Sequence, residues 1–318
     1  MRVLVLARPD APQLSVLKQL PADVEVFAAP SADQLMHVVE GADVIVNGNH
    51  HAGALEALWP HAKSLRWVHS LSAGVESIVF PALKASPIPL TNARGVYKRS
   101  LAEFAIFGML WFAKNARRLV DQQAASSWEQ WDCEELTGKT CAILSYGAMG
   151  QETARRASAM GMKIIATRRR VDAPIDDFVS KVLPPSQTGD AMAEADYVVC
   201  CSPLTPETHH MIGAAEFARM KPRGVFLNIG RGAVVDEAAL IDTLQRRAIK
   251  GAALDVFEVE PLPKESPLWL LDNVLLSPHC TDHTDTWQFE TVQFFVDNFH
   301  RFVKGEPLEN VVDKEAGY

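Results

Sequence analysis

The chain has 318 residues, of which 48% are hydrophobic, and it carries a formal net charge of −8 at pH 7. This length and composition predict a globular protein of about two domains with a sizeable core. The negative charge argues against nucleic acid as the main partner. No apolar run approaches the roughly 18 residues that a membrane helix needs, so the sequence predicts no membrane partner either.

The cysteines and the N-terminal residues indicate the cellular location of the protein. Five cysteines, an odd number without the spacing of metal ligands, indicate a reducing environment and no metal site. The stretch Met1–Ala7 resembles a buried strand rather than a signal peptide, because Arg2 is its only charge and no small-residue cleavage site follows. We therefore expect a cytoplasmic protein.

Short apolar runs alternate with helical patterns along the whole chain. In the first part the predicted strands are Val3–Leu6, Val24–Ala28, Val44–Asn47 and Arg66–Ser70, with helical patterns at Ser31–Glu40 and Ala54–Leu65. In the second part the predicted strands are Cys141–Leu144, Met162–Ala166, Tyr197–Cys201, Val225–Ile229, Gly251–Val256 and Val274–Leu276. Strands separated by helices predict parallel sheets built from βαβ units.

Two long helical patterns, Ser100–Gln123 and Thr284–Lys304, bracket the middle of the chain. A middle domain with helices of this kind at both ends predicts one domain inserted into another. We place the inserted domain at residues 96–281 and the domain made of the two chain ends at residues 1–95 plus 282–318.

The segment ILSYGAMGQETARRASAMGMKIIATRRR, residues 143–170, is similar to a dinucleotide-binding turn with two changes. The usual fingerprint reads G-x-G-x-x-G and ends its second strand on an acid. Here Ser145 stands at the first glycine position, and the second strand runs into Arg168. Gly147 would let the backbone approach a pyrophosphate, and Gly150 would let the helix pack closely on the sheet. By itself this pattern is equally typical of an ordinary strand–turn–helix.

Three chemically capable side chains follow later strands. Arg231 lies in NIGRGAVVDE, Glu260 in DVFEVEP and His279 in SPH. In an open parallel sheet the carboxyl ends of the strands line the ligand crevice. Each residue alone is more often solvated or structural, but three of them together with a nucleotide turn form a specific pattern.

On these motifs the sequence resembles the D-isomer-specific 2-hydroxyacid dehydrogenases over essentially its full length. The resemblance implies a doubly wound, Rossmann-type nucleotide domain inserted into a smaller, flavodoxin-like α/β domain. It implies an NAD(P)-dependent oxidoreductase acting on a small 2-keto or 2-hydroxy acid of D configuration, such as glyoxylate or hydroxypyruvate. The family's catalytic Arg, Glu and His match Arg231, Glu260 and His279.

The resemblance also implies binding residues. The substrate-binding residues are Ser72, Ala73 and Gly74 in SLSAGVE, together with Arg231 and His279. The cofactor-binding residues are Tyr146, Gly147, Ala148, Met149, Gly150, Thr167, Arg168, Arg169, Ser202, Pro203, Thr208, Ile229, Gly230 and Asp255, with Asp255 near the nicotinamide amide. For the SAGVE segment, a plain turn is the alternative.

These residue types fit the chemistry. Protonated His279 would donate the proton that the substrate oxygen needs as hydride reaches the carbonyl carbon. Glu260 would orient the imidazole and raise its pKa. The guanidinium of Arg231 would bind the substrate carboxylate through paired N–H donors, helped by the N–H groups of Ala73 and Gly74.

The arginines after the second strand predict the choice of cofactor. In NAD-preferring relatives an acid accepts hydrogen bonds from the ribose 2′-hydroxyl, and here Arg168 takes that position. A guanidinium can bind a 2′-phosphate, so we expect NADP(H) to be preferred, with NAD(H) possible. The alternative is that Arg168, Arg169 and Arg170 form a solvated basic face.

The sequence leaves alternatives open for the oligomeric state, the substrate and the function. The segment 121–139 carries two tryptophans outside any core pattern, which predicts a homodimer; the alternative is that both rings cap the domain's own core. The departures Tyr97–Arg99 and Cys280–His283 leave the substrate open. The alternative functions are a non-catalytic nucleotide-sensing protein, because the family includes corepressors, and a dehydrogenase of formate or phosphite.

Overall fold

The computed structural model describes residues 1–48 and 52–318. It divides into two compact units. The terminal unit comprises Met1–Tyr97 and Thr284–Tyr318, and the middle unit comprises Lys98–His283. The predicted boundaries lie two residues before these junctions, and the assignment of substrate and dinucleotide to the two units stays a prediction. None of the helices in the described ranges has the length and apolar character needed to cross a membrane.

The strands and helices follow the predicted alternation. In chain order the strands are β1 (Arg2–Leu6), β2 (Glu25–Ala29), β3 (Val44–Asn47), β4 (Trp67–Ser70), β5 (Leu90–Asn92), β6 (Thr140–Leu144), β7 (Lys163–Thr167), β8 (Val179–Leu183), β9 (Tyr197–Cys200), β10 (Val225–Asn228), β11 (Gly251–Leu254) and β12 (Val274–Leu276). The α-helices are α1 (Ala32–Leu35), α2 (Gly53–Leu58), α3 (Pro81–Ala85), α4 (Lys98–Ala113), α5 (Ala116–Ala125), α6 (Ala148–Ala159), α7 (Thr188–Glu194), α8 (Ala214–Phe217), α9 (Glu237–Gln245) and α10 (Trp287–Lys304).

The terminal unit is built on a five-stranded parallel sheet in the order β2-β1-β3-β4-β5, the flavodoxin-like arrangement. Helix α10 buries an apolar stripe on one face of this sheet, since Val292, Phe295, Val296 and Phe299 recur at helical spacing. The helix ends at Gly305, whose φ of 70° is the left-handed conformation common after a helix.

The middle unit contains a seven-stranded parallel sheet in the order β12-β11-β10-β9-β6-β7-β8. This is the doubly wound Rossmann order with β12 added at one edge. The strand order reverses between β6 and β9, and in such sheets the ligand crevice lies outside the carboxyl ends at this switch point. The predicted fold class is therefore confirmed in both sheets.

One of the long helical patterns forms two separate helices in the structure. The pattern Ser100–Gln123 was expected to be continuous, but α4 ends at Ala113 and α5 begins at Ala116. Asn115 between them has a φ of 51°, a left-handed conformation that Asn tolerates better than most residues and that ends a helix. Helix α4 packs closely on the sheet through Gly108, where a Cβ would come within 2.9 Å of the Leu227 and Ala253 side chains.

Three further differences have local causes. The helical pattern Ala54–Leu65 gives α2 and then a 3-10 turn at Trp59–His61, because Pro60 lacks the N–H that would continue an α-helix. Strand β8 was not predicted, since it is a partly exposed edge strand that carries Ser180 and Lys181. Strand β5 has only three residues, too few for a recognisable run.

A fully buried histidine lies in β4. The Nδ1 atom of His69 is 2.7 Å from the Thr91 hydroxyl, which also accepts a hydrogen bond from the Trp67 indole. Its Nε2 has no hydrogen-bond partner among the described residues, and its ring packs against Phe294 and Phe295. Burial lowers the pKa of His69 to about 3, so the folded protein holds a neutral imidazole.

His69 should make the protein less stable in acid. An unfolded histidine has a pKa of about 6.5, so below that pH the unfolded chain binds a proton that the folded chain does not. The free energy of unfolding therefore falls as the pH falls from about 6.5 towards 3, by up to about 1.4 kcal/mol per pH unit from this residue. We expect His69→Leu to flatten this slope in denaturant titrations, while the exposed control His37→Leu keeps it. Equal slopes in both variants would contradict the assignment.

Candidate functional site

The nucleotide turn follows β6, and Ser145 begins it. Ser145 has a φ of 74°, in the left-handed region that glycine adopts at lower cost. Its N–H donates to the Thr167 hydroxyl at 3.1 Å, and its own hydroxyl lies 2.7 Å from that of Ser202. Ser145 therefore fills the first glycine position and links the carboxyl ends of β6, β7 and β9.

The two glycines of the turn differ in what surrounds them. A Cβ at Gly150 would lie 2.5 Å from the Ser145 carbonyl oxygen and 2.9 Å from Ile143, so α6 needs glycine there to pack against β6. A Cβ at Gly147 would meet nothing within 4 Å. No acceptor in the described ranges binds the N–H groups of Ala148 and Met149 at the start of α6. This open helix N-terminus fits the pyrophosphate of a dinucleotide.

Arg168 follows β7 at the expected ribose position, but its guanidinium binds its own loop. It donates to the carbonyl oxygen of Pro174 at 3.0 Å and also contacts the carbonyl of Ala173. The Tyr146 hydroxyl donates to Asp176 at 2.6 Å and holds the far end of the same loop. Arg169 is exposed. A role for Arg168 at a 2′-phosphate stays a prediction. A bound phosphate would share the guanidinium with these carbonyl oxygens.

The loops after β9 and β10 meet closely. A Cβ at Gly230 would lie 2.7 Å from the Ser202 carbonyl oxygen, so only glycine fits there, and Ile229 beside it is buried. The Thr208 hydroxyl donates to the Pro203 carbonyl at 2.7 Å. This hydrogen bond therefore stabilises the loop that carries the predicted cofactor residues Ser202, Pro203 and Thr208.

His279 and Glu260 form the central contact of the site. His279 Nδ1 lies 2.7 Å from Glu260 Oε2, and the other Glu260 oxygen accepts the Phe257 N–H at 2.9 Å. The hydrogen bond to Glu260 raises the pKa of His279. Burial alone would raise the pKa of Glu260, but the hydrogen bonds from His279 and Phe257 outweigh it and lower that pKa. Both shifts favour an imidazolium–carboxylate pair.

The contact through Nδ1 leaves Nε2 as the open nitrogen of the ring. No described residue hydrogen-bonds His279 Nε2, and 40% of the side chain is exposed. The other nitrogen is fixed by a carboxylate, as in sites where a second group orients a catalytic imidazole. Nε2 is therefore the atom that can exchange a proton with a bound molecule.

Arg231 is brought towards this pair by a close backbone contact. A Cβ at Gly232 would lie 1.8 Å from the Phe257 carbonyl, so the turn after β10 fits directly against the loop that carries Glu260. Asn228 accepts the Gly230 N–H and donates to the Arg231 carbonyl, which fixes the turn. The charge of Arg231 contributes to lowering the pKa of Glu260. The structure thus gathers the three predicted catalytic residues in one unit.

Asp255 has a role that the sequence did not indicate. It is buried at the end of β11 and accepts hydrogen bonds from the N–H of Cys280, the N–H of Thr281 and the Thr281 hydroxyl, the last at 2.7 Å. These bonds fix the chain just after His279, which itself has a φ of 50°. The predicted contact of Asp255 with a nicotinamide amide stays a prediction.

The predicted substrate loop belongs to the terminal unit. Ser72–Gly74 follow β4, and the Asn92 side chain donates to the Ala73 carbonyl at 2.6 Å. Within the described ranges, no acceptor binds the N–H groups of Ala73 and Gly74. These donors suit a carboxylate. The joint action of this loop with the Arg231 group stays a prediction, because the two lie in different units.

Comparisons with known proteins show the family of the chain. Residues 106–281 match the family described as D-isomer specific 2-hydroxyacid dehydrogenase, NAD binding domain. Glyoxylate/hydroxypyruvate reductase B of Pectobacterium carotovorum subsp. carotovorum is 34% identical over 262 residues, which cover 80% of this chain and 81% of that protein.

Two solved structures share the fold. The NADPH-dependent glyoxylate/hydroxypyruvate reductase of Sinorhizobium meliloti, in complex with NADP and sulfate, superposes with a TM-score of 0.87 and 27% identity over 100% of this chain and 99% of that one. The D-isomer specific 2-hydroxyacid dehydrogenase of Xanthobacter autotrophicus Py2, in complex with NADPH and MES, gives a TM-score of 0.84 and 28% identity over 100% and 99%. Since the family match spans more than half of the sequence and the fold agrees over its length, the chain belongs to the D-isomer specific 2-hydroxyacid dehydrogenase family.

Proposed function

We propose that the protein transfers a hydride reversibly between a nicotinamide dinucleotide, preferably NADPH, and a small 2-keto or 2-hydroxy acid of D configuration, such as glyoxylate or hydroxypyruvate. The observation that carries this proposal is the 2.7 Å contact between His279 and Glu260, with the Arg231 turn packed against the Glu260 loop. The names of the relatives support the same substrate class.

The catalytic roles follow from the charges. Arg231 binds the substrate carboxylate with a guanidinium whose planar fork matches two oxygens. His279 donates the Nε2 proton to the keto oxygen during reduction and accepts it back during oxidation. Glu260 keeps the imidazole charged and oriented. A bound nicotinamide dinucleotide supplies or accepts the hydride.

The cofactor would lie along the carboxyl ends of the middle sheet. The N–H groups of Ala148 and Met149 would bind the pyrophosphate, and Gly147 leaves room for it. The loop of Arg168 and Arg169 would hold the ribose. The remaining cofactor residues would flank the nucleotide: Tyr146, Gly150, Thr167, Ser202, Pro203, Thr208, Ile229, Gly230 and Asp255.

A panel of 2-keto acids with both reduced cofactors tests the reaction. We expect reduction of glyoxylate or hydroxypyruvate and a kcat about 100-fold lower in His279→Asn, the usual scale of general acid catalysis. The exposed control His61→Asn should match the wild type. A His279→Asn enzyme with near wild-type turnover would contradict the proton-donor role. Oxidation of formate or phosphite, tested in parallel, would identify a different substrate, and no turnover at all would favour a nucleotide-sensing protein.

Glu260→Gln should shift the pH profile of keto-acid reduction. Reduction needs charged His279, whose pKa is raised by the Glu260 hydrogen bond, so activity is present at low pH and lost as pH rises through that pKa. Removing the carboxylate lowers the pKa, and kcat/KM should fall at a lower pH than in the wild type. Glu265→Gln, an exposed control, should leave the profile in place. An unchanged pH profile in Glu260→Gln would show that Glu260 does not raise the pKa of His279.

Cofactor preference is measured as the ratio of kcat/KM for NADPH and NADH. A single charge-assisted hydrogen bond to the 2′-phosphate, roughly 1.5–3 kcal/mol, gives NADPH an advantage of about tenfold or more. Arg168→Asp should shift the ratio towards NADH, and Arg169→Asp shows which of the two arginines carries the preference. Arg246→Asp, at an exposed position just after α9, is the control. Thermal melting of Arg168→Asp separates loss of the loop contacts from loss of phosphate binding. Equal use of both cofactors by the wild type would refute the preference.

The protein also carries exposed apolar surface on α4, α5 and the segment after them. Trp128 is 92% exposed, and Phe107, Leu119 and Val120 are about half exposed. The guanidinium of Arg118 covers the Trp131 ring at 4.5 Å, so only the second tryptophan of this segment packs on its own chain. We propose that this surface forms the contact of a homodimer.

Sedimentation at micromolar concentration tests the dimer. We expect a dimer in the wild type and weaker association in Trp128→Ser, because that ring has almost no contact within its own chain. Trp269→Ser removes another half-exposed tryptophan and should not change the mass. A monomeric wild type would rule the proposal out.

A reducing location, the cytoplasm, is proposed from the thiols. All five cysteines are free, and Cys141, Cys200 and Cys201 are buried. Burial raises the pKa of each of these three thiols, which keeps them protonated and unreactive.

A further inference from the structure

We propose that His209, His210 and Glu258 form a binding site for a divalent transition-metal ion, Zn²⁺ in particular. One ligand atom of each residue lies within 4.8 Å of the other two, the only such group of His, Cys, Asp and Glu among residues 1–48 and 52–318. The two imidazole rings stack with centroids 4.0 Å apart, and His210 Nε2 is 2.7 Å from Glu258 Oε1.

The backbone holds these residues in place without a metal. The His209 N–H donates to the Thr205 carbonyl at 3.0 Å, and the His210 N–H to the Ala233 carbonyl at 2.9 Å. The Glu258 N–H donates to the Glu237 carboxylate at 3.0 Å. Two loops, one after β9 and one after β11, are thus fixed by backbone hydrogen bonds with the three potential ligand atoms close together.

The donor set suits zinc. Imidazole nitrogen and carboxylate oxygen are its usual ligands at about 2.0–2.2 Å, which in a tetrahedron places them about 3.4 Å apart. The side chains of His210 and Glu258 are 38% and 34% exposed, so they can turn inwards by the distance required. Zn²⁺ would replace the proton between His210 and Glu258, and a water molecule would complete the tetrahedron.

The site uses none of the three proposed catalytic residues as a ligand, so it does not depend on the proposed reaction. It joins the loop of Pro203 and Thr208 to the loop that continues to Glu260. Because the ion binds only when both loops are in place, it should stabilise the folded protein against heat.

The test is calorimetric titration of the metal-free full chain with ZnCl₂, together with thermal melting. We expect about one ion per chain, and at least about tenfold weaker binding in His210→Asn and Glu258→Gln, because each removes a ligand. Asn tolerates the left-handed φ of 50° at position 210, so this variant should fold, which circular dichroism checks. Zn²⁺ should raise the melting temperature of the wild type and not of His210→Asn.

Three controls separate this site from other ligands. His61→Asn removes an exposed histidine elsewhere, Cys133→Ser removes the exposed thiol, and His279→Asn breaks the pair that His279 forms with Glu260. All three should bind Zn²⁺ as the wild type does. Loss of binding in one of these controls with retention in His210→Asn would place the ion elsewhere, and no binding by the wild type at 100-fold excess over a micromolar chain would disprove the site.

Discussion

The hydrogen bond between His279 and Glu260 joins loops that leave two neighbouring strands, β11 and β12, at the same edge of the sheet. Each partner favours the charged form of the other, because the pKa of His279 is raised and that of Glu260 is lowered. The contact therefore links the two loops and also favours the protonated imidazole. It raises the pKa of the ring and leaves Nε2 without a hydrogen bond to any described residue. The remaining features of the site hold this contact in one geometry.

Those features are a close backbone approach at Gly232 and side-chain hydrogen bonds that hold the adjoining loops. Gly232 lets the turn of Arg231 approach the Phe257 carbonyl, which no larger residue would allow. Asp255 fixes the chain beyond His279 with three hydrogen bonds, and Asn228 fixes the turn before Gly232. A charged pair that is partly exposed is worth little unless its geometry is fixed. Because the adjoining loops are held by these contacts, the His279–Glu260 pair has the fixed geometry that such a contribution requires.

The sequence predicted the sheets and the proximity of Arg231, Glu260 and His279 because both depend on short-range signals. Buried parallel strands read as apolar runs, and the residue after each run falls at the crevice. The errors arose where the signal is weak or non-local. Strand β8 is an edge strand with exposed polar residues, and the break before α5 depends on the left-handed Asn115. The loop contacts of Arg168 and the approach of Glu258 to His210 join residues that sequence spacing does not relate.

Ser145 shows how a nucleotide turn can dispense with its first glycine. A non-glycine residue in the left-handed region costs about 1–2 kcal/mol, and here the hydroxyl contact with Ser202 and the N–H bond to Thr167 offset that cost. Glycine at this position would be free to take either sign of φ, and it would lose more freedom on folding. The serine turn therefore holds the open N–H groups of Ala148 and Met149 in one arrangement before any ligand arrives, which lowers the ordering entropy that binding of an anion there must overcome.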